Sequence, residues 1–119
     1  MAEPSRRLAW GILGGLGPRA SAAFLNSIYE AASGSEQRTP AVFLVSDPSF
    51  PDRSSAVLQG LDEEELLRRT EAALRSLVDL GAERLVMCCV TLHYLLPRIS
   101  IDLRSHIVSL LDLIFEAIY

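Results

Sequence analysis

Short apolar runs alternate along the chain with longer segments in which apolar side chains recur every three or four residues. The runs predict buried strands of a sheet covered on both faces. They are Leu8–Leu13, Ala41–Val45, Leu85–Cys88 and Ile107–Leu110. The helical spacing predicts helices at 18–32, from Asp62 towards Gly81, and at 111–119.

Local signals set the ends of the first two helices. Pro18 suits a first helical turn, and Ser33–Ser35 ends that helix. Asp62 followed by Glu65 predicts a capping box, and Gly81 is a typical stop. The inward face of the second helix is predicted to carry Leu66, Leu67, Thr70, Ala73, Leu74, Leu77 and Val78.

The segment after His93 allows two interpretations. In one, a short helix over 94–99 precedes the fourth strand and the last helix. In the other, a single helix runs from Ile101 onward. The first gives four β-α units, which predict one three-layer α/β/α domain over residues 1–119 with a four-stranded, mostly parallel sheet. Residues 1–7 are polar and predicted to fray.

Composition narrows the function classes. With 119 residues, 50% of them hydrophobic, the chain fits one domain. The net charge of −4 gives no basic footprint for nucleic acid. No apolar run approaches the roughly 20 residues that span a membrane, and the first residues lack a signal-type apolar core. The cytoplasm is therefore the expected location.

The reactive side chains are few. All eleven basic residues are arginine, which excludes a Schiff-base lysine for pyridoxal phosphate and a Walker A lysine. Cys88 and Cys89 are adjacent, so on a strand they point to opposite faces and are expected to remain free thiols. Two cysteines and two histidines form no recognisable zinc spacing, and no metal site is expected.

Three loops are expected to open onto one edge of the sheet. Cys89–His93 follows the third strand, Gly14–Pro18 follows the first, and the proline-rich segment Asp47–Ser54 follows the second. The carboxyl ends of parallel strands form the ligand crevice of an open α/β sheet. The sequence therefore predicts a pocket shared by a thiol, a glycine loop and an arginine.

The thiol and the glycines each have a functional and a structural interpretation. Cys89 at a helix N-terminus favours a thiolate that acts as nucleophile or base. A small buried hydrophobe is an equally weighted alternative, and Cys88 is expected in the core. Gly15 and Gly17 would let backbone amides hold a small carboxylate or phosphate. A tight strand-to-helix turn is the alternative.

The remaining polar residues of the three loops also allow both a functional and a structural interpretation. Arg53 would grip a carboxylate, or pair with Asp52 or with solvent. Thr91 would donate a hydrogen bond to a carboxylate or cap the next helix. His93 would tune the thiolate electrostatically or fill a structural role.

Taken together, Gly11–Pro18, Asp47–Ser54 and the set Cys89, Thr91 and His93 resemble the aspartate/glutamate racemase family, most closely its aspartate racemase branch. The resemblance covers nearly the whole chain but corresponds to the amino-terminal half of such an enzyme. It implies one half of a two-domain racemase-like fold.

The resemblance also implies a chemistry. It is the racemisation of an acidic amino acid without a cofactor, by two cysteines on opposite sides of the substrate Cα, one from each half. Cys89 matches the first cysteine, and Arg53 and Thr91 match positions that hold carboxylates. Two residues depart from the family pattern: Val90 replaces an asparagine, and Asp47 stands where asparagine is usual. No second cysteine follows His93.

Two other functions stay open at this point. One is a non-catalytic binding or scaffold module. The other is a thiol-dependent isomerase or decarboxylase of a small dicarboxylate. A substrate that lacks an amino group would be compatible with the loss of a polar contact at Val90. The expected partners are an acidic amino acid or dicarboxylate, and a second copy of the chain or a missing second half. Both possibilities follow from the apolar end, which contains Phe115, Ala117, Ile118 and Tyr119.

Overall fold

The computed structural model describes residues 8–32, 34 and 36–118. Its described part contains a parallel sheet of β1 (Trp10–Gly14), β2 (Val42–Ser46) and β3 (Arg84–Met87) in the order β2-β1-β3. Trp10 is in register with Val42 on one side and with Arg84 on the other. The first strand of the chain is therefore the central strand.

The helices follow in chain order. They are α1 (Pro18–Ala31), α2 (Arg53–Gln59), α3 (Glu63–Leu80), α4 (Ile101–Arg104) and α5 (Leu110–Ile118). Two 3₁₀ helices, Glu36–Arg38 and Thr91–Arg98, complete the described elements. The predicted α/β class with a parallel sheet is confirmed.

Two glycines of β1 show which helix covers which face. A Cβ at Gly11 would touch Leu77 of α3, whereas a Cβ at Gly14 would collide with the Ser21 side chain of α1. Residues 11 and 14 point to opposite faces because side chains alternate along a strand. The sheet is therefore sandwiched between α3 and α1.

Most of the core lies on the α3 face. The predicted inward face of α3 is confirmed, since Leu66, Thr70, Leu74 and Leu77 are buried, while Leu67, Ala73 and Val78 pack half-buried against the core. Leu13, Leu85 and Met87 meet them from the sheet. Leu92, Leu95 and Leu103 close the same cluster from the segment after β3.

The predicted fourth strand is wrong. Ile107 forms one isolated parallel bridge to Leu85, flanked by backbone hydrogen bonds of 2.8 and 2.9 Å. The chain then turns into α5 at Leu110, where the Ser109 hydroxyl accepts from the Asp112 N–H at 3.3 Å. This cap-type hydrogen bond starts a helix before a second residue pair can join the sheet.

The segment predicted as a loop up to Ser54 ends earlier. Arg53 is the first residue of α2, so the placement of Arg53 on a loop is wrong. The Asp52 carboxylate accepts from the Ser55 N–H at 3.3 Å and from its hydroxyl at 2.6 Å. Asp52 is thus a side-chain N-cap. The signal for this cap in the sequence is an aspartate three residues before a serine.

The capping box predicted at Asp62 does not form. Asp62 has φ +56° and makes no side-chain cap, and Glu65 pairs with Arg68 instead. Only three residues, 60–62, join α2 to α3. This short connection holds Asp62 in a left-handed conformation that aspartate tolerates, so its carboxylate does not reach the amides of the first turn.

The region after β3 matches neither interpretation fully. The helix expected over 94–99 begins earlier, at Thr91, and is a 3₁₀ helix to Arg98. A single helix from Ile101 is wrong, because α4 and α5 are separate. Among the described residues, no helix is both long enough and apolar enough to cross a membrane.

Several expectations lie outside the described residues: the fraying of residues 1–7, the roles of Ser33 and Ser35, and the side chains of Ile118 and Tyr119. Within the described part, α1 ends at Ala31. Phe115 on α5 is 58% exposed, and Leu113 and Ile114 are also exposed.

Candidate functional site

The sheet order brings the three predicted loops to one edge. β1 ends at Gly14 between the ends of β2 at Ser46 and of β3 at Met87. The pairing reaches the start of the third loop, where the Cys88 N–H donates to the Leu13 carbonyl at 2.9 Å. The glycine loop therefore lies between the segment that begins at Asp47 and the cysteine turn.

Gly15 fixes the path of the glycine loop. Its φ is +83°, and a Cβ there would overlap the backbone of Asp47. Its N–H donates to the buried Ser21 hydroxyl at 3.0 Å. Gly15 thus provides a close approach between two loops, and its own amide is already paired.

Gly17 presents the amides that remain. It precedes α1 with φ +97° and no side-chain cap, and Pro18 follows as the first helical residue. The N–H groups of Leu16, Gly17 and Arg19 have no acceptor among the described residues. Unpaired amides at the start of a 14-residue helix favour an anion.

The two thiols occupy different environments. Burial, and to a smaller degree the neighbouring Cys89, raises the pKa of the Cys88 thiol to about 11. Cys88 is therefore a neutral thiol near pH 7. Cys89 is half-buried, packs against the edge of the core, and lies at the start of the 3₁₀ helix. Both cysteines are free, as expected.

His93 is buried and contacts backbone on both sides of its ring. Its Nδ1 lies 2.9 Å from the Cys89 carbonyl oxygen, and its Nε2 accepts from the Leu110 N–H at 3.2 Å. An accepting Nε2 requires the proton on Nδ1, which donates to Cys89. The imidazole thus links the cysteine turn to α5.

Val90 and Thr91 are the two residues that follow Cys89 in the sequence. Val90 is 49% exposed and is the N-cap residue of the 3₁₀ helix, with no side-chain cap. Thr91 is the first residue of that helix and is exposed. The alternative in which Thr91 caps the helix is therefore wrong, and Thr91 is an exposed residue two positions after Cys89.

Arg53 opens α2 without an acidic partner. Its Nη1 donates to the Pro51 carbonyl at 3.4 Å, and it forms no ion pair with any described residue. Asp52, the alternative partner, is occupied by Ser55. Because α2 packs against the 3₁₀ helix, Arg53 and Thr91 lie on contacting elements.

Asp47 has a partner that no sequence signal indicated. Arg69 of α3, 22 residues away, donates from Nη2 to the Asp47 Oδ2 at 3.1 Å. Hydrogen bonds from the Ser49 hydroxyl and N–H, with a smaller effect of the Arg69 charge, lower the pKa of the Asp47 carboxyl. Asp47 is thus an ionised carboxylate beside the glycine loop.

The structure therefore joins the predicted residues in two groups. Gly15 contacts the Asp47 backbone, and Cys89 is held by His93. Arg53 and Thr91 belong to a second pair of elements in contact. Within the described residues, no three histidine, cysteine, aspartate or glutamate side chains gather in a way that could hold a metal ion.

A comparison with protein families adds an independent finding. Residues 13–119 match the family described as Asp/Glu/Hydantoin racemase. The match includes the glycine loop, the Asp47 segment and the cysteine turn.

Two solved structures share the fold. One is an aspartate racemase of Picrophilus torridus, 24% identical, with a TM-score of 0.79 over 90% of this chain and 45% of that one. The other is an aspartate racemase homologue from Pyrococcus horikoshii OT3, 19% identical, with a TM-score of 0.71 over 94% of this chain and 49% of that one. The chain spans about half the length of either structure.

Proposed function

Because this chain belongs to the Asp/Glu/Hydantoin racemase family, we propose that it removes a proton from the Cα of an acidic amino acid, with the Cys89 thiolate as the base and no cofactor. The observation that carries this proposal is the position of Cys89. It follows the carboxyl end of β3, at the start of a 3₁₀ helix and beside the loop that follows the central strand.

The neighbouring groups suit a carboxylate substrate. Arg53 offers a guanidinium that forms no ion pair with the described residues, and the exposed residue Thr91 offers a hydroxyl. The amides around Gly17 offer further donors, while Gly15 holds the loop in shape. In the proposed step the Cys89 sulfur takes the Cα proton, and these donors stabilise the negative charge that develops on the substrate.

This chain supplies one of the two bases that racemisation needs. Its other cysteine, Cys88, is the preceding residue and carries a thiol with a pKa of about 11. In this proposal, residues 1–119 act as one domain, and a second copy or further sequence supplies the acid for the other face. The proposed location is the cytoplasm, where reducing conditions keep both thiols free.

Hydrogen–deuterium exchange at Cα tests the proposal directly. Aspartate and glutamate are incubated in D₂O with the native chain, Cys89→Ala and the matched control Cys88→Ala, and the loss of the Cα proton signal is followed by NMR. We expect exchange with the native chain and with Cys88→Ala. The Cys89→Ala variant should exchange at least about 100-fold more slowly, because it lacks the base.

The opposite enantiomer, measured in the same samples, reports whether a second acid is present. Exchange without inversion indicates one working face. If the folded native chain exchanges neither substrate, or Cys89→Ala matches it, the proposed base is wrong. The non-catalytic binding module then becomes the better hypothesis.

Val90 favours a second candidate function. Its exposed isopropyl group next to Cys89 cannot hydrogen-bond the ammonium of an amino acid. A dicarboxylate without an amino group would not need that contact. Under this alternative, a thiol-dependent isomerase or decarboxylase, the same NMR assay should show Cys89-dependent exchange at the methylene of succinate and none with aspartate.

A further inference from the structure

The negative charge of the Asp47 segment presents a problem for an anionic substrate. The segment Asp47–Ser54 contains two carboxylates, Asp47 and Asp52, and Arg53 forms an ion pair with neither of them. The Asp47 backbone lies against Gly15 of the glycine loop, so Asp47 follows β2 at the edge of the sheet that holds the proposed site. An uncompensated carboxylate there would repel a dicarboxylate ligand.

Arg69 contacts the segment at four points. Its Nη2 donates to the Asp47 Oδ2 at 3.1 Å and to the Ser49 hydroxyl at 2.9 Å. Its Nη1 donates to the Ser49 carbonyl at 2.7 Å, and the guanidinium carbon lies 4.3 Å from the Phe50 ring centroid. The loop also ties itself, because the Ser49 N–H donates to the Asp47 Oδ1 at 2.9 Å.

These contacts differ from an ordinary surface ion pair. The Arg69 side chain is 25% exposed, against 67% for its neighbour Arg68, which pairs with Glu65 on the same helix. A guanidinium that meets a carboxylate, a carbonyl, a hydroxyl and a ring at once has little rotational freedom left. The cation is therefore fixed at the segment that leads to Arg53.

We propose that Arg69 is a positioning and specificity residue for a dicarboxylate ligand: it cancels the Asp47 charge and fixes the segment, which leaves the Arg53 charge available for the ligand. The proposal rests on the proposed function of the Cys89 site. It assigns a role to Arg69, a residue of α3 that lies outside the three loops predicted from the sequence to form the site.

A double-mutant cycle with ligand binding as the readout tests this role. The probes are succinate and L-aspartate, titrated at constant ionic strength and followed by NMR shifts of backbone amides. The proteins are the native chain, Arg69→Gln, Asp47→Asn, the double variant, and Arg68→Gln. The last removes the same charge from the same helix without touching the segment.

We expect Arg69→Gln to raise the dissociation constant of both probes by about tenfold, because it leaves Asp47 uncompensated. Arg68→Gln should bind as the native chain does. Asp47→Asn should restore most of the affinity of Arg69→Gln, since it removes the charge that Arg69 balances and keeps the acceptor for Ser49.

The other outcomes separate the ideas. If the native chain binds and Arg69→Gln binds equally well, the Arg69 proposal is wrong while the proposed function stands. If the double variant is as weak as Arg69→Gln, Arg69 acts as a scaffold only, and charge compensation is wrong. If the folded native chain binds neither probe, the proposed function fails, and the specificity role of Arg69 fails with it.

Discussion

Two adjacent cysteines illustrate how one step along the backbone changes the chemistry of a side chain. Cys88 directly follows the last residue of β3, and burial raises the pKa of its thiol to about 11. Since folding favours the neutral thiol, Cys88 contributes stability below the unfolded pKa of roughly 8.5, and this contribution is lost as the pH rises towards 11. Cys89, at the start of the next helix, is the only other thiol of the chain.

Alkylation by iodoacetamide tests this difference. In Cys89→Ala, the remaining Cys88 should react slowly at pH 8, and its rate should rise about tenfold per pH unit up to pH 10, because only the thiolate reacts. The Cys88→Ala variant is the matched control and reports Cys89 alone. A rate for Cys89→Ala that levels off near pH 9 would contradict the desolvated environment of Cys88.

Two single residues carry interactions that their sequence context does not announce. Arg69 pairs with Asp47 across 22 residues, and His93 accepts from Leu110 across 17. Each side chain had many possible partners in the sequence, and helix packing decided which of them it contacts. For His93, the outcome is a hydrogen bond to the Cys89 carbonyl.

Among the elements, α2 shows the value of an N-cap. Hydrogen bonds from the hydroxyl and then the N–H of Ser55 lower the pKa of the Asp52 carboxyl. A lowered folded pKa means that the cap contributes stability above the usual carboxyl range and loses it as the pH falls through the folded pKa. The helix that presents Arg53 should therefore loosen in acid.

The Asp52→Asn variant isolates this effect. An asparagine side chain keeps an oxygen that accepts from Ser55 but does not titrate, so the Ser55 amide should exchange with solvent at a pH-corrected rate that is constant between pH 6 and pH 3. In the native chain, protection of that amide should fall over the same range. Equal pH profiles for the native chain and Asp52→Asn would contradict the cap.

The α3 helix was the easiest element to predict, and its neighbours the hardest. Its inward face follows from apolar residues at helical spacing over 18 residues, which neighbouring residues alone determine. The prediction of a fourth strand was wrong because a strand needs a partner to pair with. Ile107 is a residue type that favours strands, but α5 starts so soon after it that only one bridge forms. The short helix α2 was not predicted because the proline-rich segment before it suggested a loop.

For the whole molecule, one large core lies between α3 and the sheet, and α5 is left largely exposed. Leu74 of α3 is fully buried in that core, whereas Leu80 near the end of the same helix is 61% exposed. Because both residues are leucines in the same helix, comparing their substitutions separates the contribution of core packing from that of helix propensity.

Urea unfolding of two variants measures this asymmetry. Leu74→Ala should lower the free energy of unfolding by about 2–5 kcal/mol, since it removes buried methyl groups and leaves a cavity. Leu80→Ala should change it by less than about 0.5 kcal/mol. Similar losses for the two variants would show that the core does not depend on α3 in the way described.

The sequence by itself determined the α/β class, the strands that end at the glycine loop, the Asp47 segment and the cysteine turn, and the family resemblance. These features depend on periodicity and on neighbours within a few residues, which the chain order contains. Only the tertiary structure decided that Ser21 pairs with the Gly15 amide, that Arg69 balances Asp47, and that the described sheet has three strands. Each of these depends on which groups packing brings within hydrogen-bonding distance, and local sequence leaves several such partners equally available.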